Sequence, residues 1–389
     1  MRRAFFLTAF TTLAFALTAW SLARLAPEPD TGDLDDKLRH FAAHGDRYDL
    51  VFFGSSRILR GVRPEILDAE LARRGLDVRS FNFGIDGMSG YETDALVRRV
   101  LAMRPESLRW AVVELDGWSA EMPEANRYKA RMIGWHDAEA TAAAVRDTAR
   151  REKPAGARLE LAAAHLLHGA ARATAAGRGR DLLRSLPGGS LFERRDEPEE
   201  TIDGGRGFLP FSERSYGTPS THPFRRAFLG KLPLYERAVE YLSAANRAPA
   251  PVRAADREAL AAQSAELRRA GVRPIHLVTP TARPLPHLMP LARPAAAGES
   301  GSSVLTYNDP TLYPELFTVE NRFDAEHLTT EGAALFSLRL ADDLARMLAD
   351  DALPDHRSVA AAKNACAENA ASENQVEAAA GRTGGKGGA

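Results

Sequence analysis

Ser56 stands in the tetrad Gly54-Ser55-Ser56-Arg57, directly after the apolar run Leu50-Val51-Phe52-Phe53, and Asp324-Ala325-Glu326-His327 lies far downstream. A serine hydroxyl is a weak nucleophile until a histidine takes its proton, and that histidine needs a carboxylate to fix its tautomer and stabilise the imidazolium. The two segments supply all three groups, since an Asp three residues before a His on one loop can curl back to meet the ring. Gly54 permits a tight turn out of a strand, and the residues after it can open a helix whose first N–H groups stabilise an oxyanion. A plainer use of Ser55 or Ser56 is as a helix N-cap, and the tetrad alone does not separate the two. Phe81-Asn82-Phe83-Gly84-Ile85-Asp86-Gly87 again runs from apolar residues into glycine, where backbone can approach a ligand and present an N–H. An ordinary strand-to-helix turn reads the same way, and the acidic loop around His327 reads equally as solvated surface.

The elements that would position these residues alternate. Short apolar runs at 49–54, 78–83, 110–115, 273–279 and 304–307 read as strands, and helical patterns fall between them. That alternation is the signature of a parallel sheet covered by helices, an α/β fold. Pro64 to Arg74 has Ile66, Leu67 and Leu71 on one face and is closed by Gly75; Tyr91 to Met103 does the same with Leu96, Val97, Val100 and Leu101. Further helices are expected over 33–44, 256–269 and 330–348, the last with Phe336, Leu340, Leu344, Met347 and Leu348 on one face. The alternation stops over 118–251, where Ala/Arg-rich helical stretches give way to the Gly/Pro-rich stretch 186–211. This reads as an insertion, part of it a candidate cap over the strand ends. The organisation expected is thus a leader over 1–26, an α/β domain in two parts over 33–117 and 252–350, the insertion between them, and a tail over 351–389. That tail is poor in large apolar residues and is expected to be disordered.

In open parallel sheets, ligands bind outside the carboxyl ends of the strands, and all three segments lie at such ends. In this order they resemble the SGNH hydrolase superfamily, the GDSL-like esterases, over roughly 45–116 and 272–348. The resemblance implies a flavodoxin-like three-layer sandwich with a central parallel sheet. It also implies a nucleophile at Ser56, Gly54-Ser55-Ser56 replacing the usual Gly-Asp-Ser, with Asp324 and His327 as the DxxH pair. Its oxyanion donors would be the backbone N–H groups of Ser56 and Gly87, with no metal and no organic cofactor. The family usually adds an Asn side chain after the third strand, but this chain has Val113-Glu114-Leu115-Asp116-Gly117 there. Losing one oxyanion donor costs a few kcal/mol of transition-state stabilisation. Arg57, Glu114 and Asp116, all beside the expected site, are candidates for binding substrate; loop anchoring is the alternative for the two carboxylates, and pairing with Glu114 or Asp116, or a solvated charge, is the alternative for Arg57. The GSS form behind an apolar leader is similar to SGNH-like proteins of envelope polymer modification. That likeness implies an acyl-ester substrate, a polysaccharide acceptor and a membrane-bound acyltransferase as partner. A non-catalytic envelope module on the same fold is the rival, favoured by the missing Asn. A flavodoxin-like nucleotide binder is disfavoured, because the first loop has one glycine and no phosphate-binding lysine.

Arg2 and Arg3 precede an uncharged stretch from Ala4 to Ala23 that is long enough to span a hydrocarbon core. Positive residues on the leading flank favour an N-terminus kept in the cytoplasm and a domain outside it. The expectation is a single-pass anchor, and a cleaved signal peptide with secretion is the alternative. With 51 basic and 52 acidic residues the chain of 389 has a net charge of -1, which gives no case for nucleic-acid binding. The single cysteine, Cys366, excludes an internal disulfide and a thiolate metal site. His40 with His44, and His165 with His168, are spaced to share a helix face but lack a third ligand in sequence, so both read as ordinary surface or packing histidines.

Overall fold

The computed structural model of the chain describes residues 2–25, 31–122, 127, 130–174, 202, 204–211, 222–292 and 303–349. The tail from 351 and much of the Gly/Pro-rich stretch lie outside them. The chain divides into two compact units, 1–341 and 342–389. Of the second, the described part is the end of the last helix, where Arg346 pairs with Asp343.

The centre of the first unit is a sheet of strands β1 (Leu50–Gly54), β2 (Ser80–Gly84), β3 (Trp110–Glu114), β4 (Arg273–Val278) and β5 (Ser303–Thr306). All neighbours run parallel, in the order β2-β1-β3-β4-β5. Every residue of β1, β2 and β3 is buried, which is why these segments are continuous apolar runs rather than alternating ones. Val51, Phe53, Phe81, Phe83, Ala111 and Val113 share one cluster with Leu34, Leu38 and Phe41 of α2 (Asp33–His44). Leu96, Val97 and Val100 of α5 (Gly90–Ala102) join them. The residues between, such as Phe52 and Val112, are buried too and by the period of two face the other side. There lie the short α3 (Ser56–Gly61), α4 (Pro64–Arg73) and residues 330–341 of the last helix (Thr330–Ala349), whose Phe336 and Leu340 are buried. The architecture is a flavodoxin-like three-layer α/β sandwich.

The strand order reverses between β1 and β3, and in such sheets the crevice outside that switch point is where ligands bind. Ends of the expected strands and helices fall within two residues of those observed, and α3 opens after Gly54 where a helix capped by Ser55 or Ser56 is expected. Described parts of 118–251 form α6 (Ala130–Gly134), α7 (Ala138–Arg150), α8 (Ala155–Thr174), α9 (Pro223–Leu229) and α10 (Leu232–Arg247). Residues 204–211 instead run along the open edge of β2: the Asn82 amide donates to Arg206 O at 2.9 Å and the Leu209 amide to Leu59 O at 3.2 Å. An edge strand covered in this way offers no free ladder to another chain.

At the N-terminus α1 (Arg2–Leu25) is a 24-residue helix that packs against α8. Among the described residues no helix is long and apolar enough to cross a membrane. Phe6, Phe10, Leu13 and Phe15 of α1 are exposed, as are Leu159, Leu166 and Leu167 of α8.

Candidate active site

Two adjacent serines leave β1, and they divide the roles that the sequence left open. Ser55 is the N-cap of α3: its backbone is extended and its Oγ accepts from the Arg57 amide at 3.3 Å. Ser56 is therefore the first helical residue, with an amide that has no intrahelical partner and a hydroxyl that points elsewhere. Its Oγ lies 2.7 Å from His327 Nε2. The other ring nitrogen, Nδ1, is 2.9 Å from both Asp324 Oδ1 and Oδ2. Serine, histidine and aspartate thus form one hydrogen-bonded chain across 271 residues of sequence. Gly54 makes the turn possible. A Cβ there would lie 2.6 Å from Glu114 Cβ and 2.7 Å from Glu114 Oε2, closer than any side chain tolerates.

The Asp324 carboxylate is held from several directions. Its Oδ1 accepts from the Glu326 and His327 amides, both at 2.8 Å. Burial pushes its pKa up, but the His327 hydrogen bond and charge together with those amides outweigh burial and hold it below the ordinary value. An acid kept ionised in this way fixes the His327 tautomer with Nδ1–H toward Asp324 and leaves Nε2 to accept from Ser56. The loop itself is scaffolded by two arginines. Arg322, fully buried, donates to Pro280 O at 3.0 Å and Ala325 O at 2.6 Å. Arg225 of α9 donates to Arg322 O, and to Val319 O at 3.2 Å.

Arg57, Glu114 and Asp116, the candidates for substrate binding, are brought together but with one another. The Arg57 guanidinium reaches Glu114 Oε1 at 2.6 Å, Asp116 Oδ2 at 2.6 Å and Glu326 Oε2 at 3.1 Å. Glu114 Oε2 also accepts from the Ser55 amide at 2.6 Å, and Thr279 Oγ1 donates to Oε1 at 3.1 Å. Burial pushes the Glu114 carboxyl up, yet Arg57 and the Ser55 amide bring it below its usual range. Asp116 pairs in addition with Arg283. The guanidinium N–H groups of a buried arginine need acceptors, and here carboxylates from β3, the segment after it and the His327 loop each take one, from Nε, Nη2 and Nη1 in turn. The cluster ties the Ser56 turn to the His327 loop.

Gly87 lies at the end of the loop after β2 with φ 65°, a conformation that suits glycine. Arg131 of α6 donates to Asp86 O at 2.7 Å and Gly87 O at 3.2 Å, and its Nε to Glu92 Oε1 at 2.8 Å. Asn82 is no substitute for the absent third donor. It is fully buried, and its Nδ2 donates to Ile58 O and Val62 O, both at 2.7 Å. At the expected Asn position stands the ion-paired carboxylate of Asp116.

Several residues at the site escape sequence reasoning. Lys37, buried on the polar-looking α2, donates to Asn82 O and Gly84 O at 2.8 Å and to Gly207 O at 2.6 Å. Burial drives its pKa down to about 7, against the pull of Asp33 and Asp86. Phe211, at the end of the 204–211 segment, sits edge-to-face with His327 at 5.2 Å between ring centroids. The only local signal was that Glu326 lies inside the Asp324–His327 loop; Phe211 and Lys37 had none.

The histidine pairs behave as packing groups. His40 Nε2 is 2.9 Å from Tyr48 OH, and its ring meets His44 at 4.9 Å. His165 gains a neighbour that the sequence does not suggest: its Nδ1 is 2.9 Å from His136 Nε2. Their other nitrogens face Ala120 O and Met132 O, and burial lowers the His136 pKa to about 3. No group of three or more metal-binding side chains among the described residues is placed to hold a metal ion.

No protein-family model matches the chain, and no curated protein matches it.

Proposed function

We propose that this protein is an SGNH-like serine ester hydrolase or O-acyltransferase, tethered to a membrane by α1 with its α/β domain outside the cytoplasm. The observation that carries the reading is the chain Ser56 Oγ to His327 Nε2 at 2.7 Å and His327 Nδ1 to Asp324 at 2.9 Å, set at the switch point of a parallel sheet. In this reading His327 takes the Ser56 proton as Oγ attacks an acyl carbonyl, and the Ser56 and Gly87 amides receive the oxyanion. His327 then returns the proton to the leaving oxygen. Water as second acceptor gives hydrolysis, and a polysaccharide hydroxyl gives acyl transfer. No metal or organic cofactor enters these steps. The anchor rests on Arg2 and Arg3 at the start of α1, ahead of the uncharged stretch from Ala4 to Ala23, and on exposed Phe6, Phe10, Leu13 and Phe15. A membrane-bound acyltransferase as the source of the acyl group fits such a placement.

The test is turnover of an activated acetyl ester by the full chain. Ser56→Ala is expected to abolish it, and a fluorophosphonate probe is expected to add its mass to the Ser56 peptide. Equal turnover by the variant, or labelling elsewhere, refutes the nucleophile.

One observation favours a second reading, a non-catalytic envelope binding or assembly module on the same fold. Where a third oxyanion donor is expected, Asp116 offers a carboxylate committed to Arg57. A wild-type chain that neither turns over activated esters nor reacts with the probe would establish this reading over the first.

A further inference from the structure

The turn after β2 closes where the Met88 amide donates to Ile85 O at 3.3 Å, so Asp86 and Gly87 are its central pair. Of these two only Gly87 has a positive φ, 65°. That is the sign a type II turn has at its third position; a type I turn has φ of about −90° there, and the two differ by a half-rotation of the peptide between the central residues. Glycine adopts either sign with similar ease, so Gly87 does not by itself hold that peptide. Arg131 of α6 does, because its Nη1 donates to Asp86 O at 2.7 Å and its Nη2 to Gly87 O at 3.2 Å. The guanidinium is placed in turn by Glu92, whose Oε1 accepts from Arg131 Nε at 2.8 Å. The other oxygen, Oε2, accepts from the Ser89 amide at 2.9 Å in the capping box of α5. Both side chains are little exposed, 11% for Arg131 and 1% for Glu92, which fixes the geometry.

In a trans peptide the C=O and N–H point in opposite directions. Asp86 O and Gly87 N–H belong to one peptide, so with the carbonyl on Arg131 the amide points away from it. The Met88 amide, across the next peptide, is used inside the turn, whereas the Gly87 amide meets no acceptor among the described residues. The turn also sits against the segment that carries Ser56: the Ile85 amide donates to Gly54 O at 3.0 Å, and Arg60 of α3 donates from Nε to Asp86 Oδ1 at 3.2 Å. We infer that Arg131 is a positioning residue for the oxyanion, holding Asp86 O so that the Gly87 N–H stays presented as a donor; this rests on the ester-chemistry reading above. Without Arg131 the 86–87 peptide can rotate, and rotation replaces the N–H by a carbonyl oxygen whose dipole repels the developing charge. The insertion thus completes the site with a residue that touches no reacting atom.

The experiment uses the full chain, with 4-nitrophenyl acetate as substrate and phenylboronic acid as inhibitor. Ser56 Oγ adds to boron, its proton passes to His327 Nε2, and one hydroxyl of the tetrahedral boronate takes the place of the oxyanion. Arg131→Met is expected to lower kcat/KM by about ten- to a hundredfold, part of what loss of a whole oxyanion donor costs, and to raise the boronate inhibition constant by a similar factor. An inhibition constant does not depend on the fraction of molecules that is active, so misfolding lowers the rate without moving it. Arg131→Met also strands the buried Glu92 carboxylate, and Glu92→Gln removes that charge while keeping the capping box. The double variant is expected to stay as impaired as the single one. A rate near wild type in Arg131→Met, an unmoved inhibition constant, or recovery in the double variant overturns the inference and leaves the esterase intact. Absent nitrophenolate release from wild type, or equal release by Ser56→Ala, removes the ester-chemistry reading and this inference with it.

Discussion

Arg57 joins Glu114 to Glu326, reaching the first at 2.6 Å and the second at 3.1 Å, and Glu326 is the residue before His327. The Ser56 turn, the end of β3 and the His327 loop therefore meet on one guanidinium. Removing one partner of a buried ion pair strands the others and typically costs about 3–5 kcal/mol. Arg57→Gln is expected to lower stability by that order in denaturant unfolding and to lose ester turnover. Arg57→Lys should recover little of either, because a point charge cannot meet three separated carboxylates as the planar fork does. Full activity in the lysine variant would mean that the network does not align the site.

The two serines predict opposite outcomes. Ser55 caps α3, so Ser55→Ala is expected to cost about 1 kcal/mol of stability with ester turnover kept within a few-fold. Ser56→Ala should leave the melting temperature close to wild type while turnover disappears. Paired thermal scans and rate measurements on the two variants check this, and a reversal would exchange the assignments.

The strands are legible in the sequence because each is a short apolar run buried on both faces, and the meeting of Ser56, Asp324 and His327 is legible because each lies in a local motif at a strand end. Arg57 is not legible in the same way. A guanidinium after a strand reads equally as a substrate anchor or an ion pair, and what decides is the convergence of Glu114, Asp116 and Glu326, which only the fold brings about. Lys37 reads as a solvated residue of a polar helix, yet the helix turns it onto the carbonyl ends of β2. Phe211 lies in a stretch with no periodicity, so nothing local marks it; its place against His327 is fixed by Arg60 and Phe323, far away in the chain.

Asp324 sets the acid side of the pH dependence. The folded state holds its carboxyl below the ordinary value of 3.8, so the stability that it contributes is present above that value and is lost as pH falls through the lower folded pKa. Asp324→Asn is expected to flatten that part of the acid unfolding curve. The same variant leaves His327 free to take the wrong tautomer, and ester turnover is expected to fall by about 10³–10⁴. Acid unfolding curves with the same slope for both proteins would contradict the linkage.

Lys37 predicts a slope of the same sign at higher pH. The unfolded chain keeps this proton up to about 10.5, whereas the folded chain gives it up near 7 because burial disfavours the ammonium. Between those values the folded state binds fewer protons than the unfolded one, so this group makes stability rise with pH, by at most about 1.4 kcal/mol per unit. Lys37→Met lacks the titration, and subtracting its unfolding free energy from that of wild type at each pH isolates the effect. The difference is expected to move in favour of wild type from pH 7 to pH 9. The ammonium has three N–H groups for the carbonyls of Asn82, Gly84 and Gly207, so a strong enough hydrogen-bond contribution would hold the proton. In that case the difference stays flat over the whole range, and Lys37 is a fixed cation beneath the Gly84–Gly87 loop.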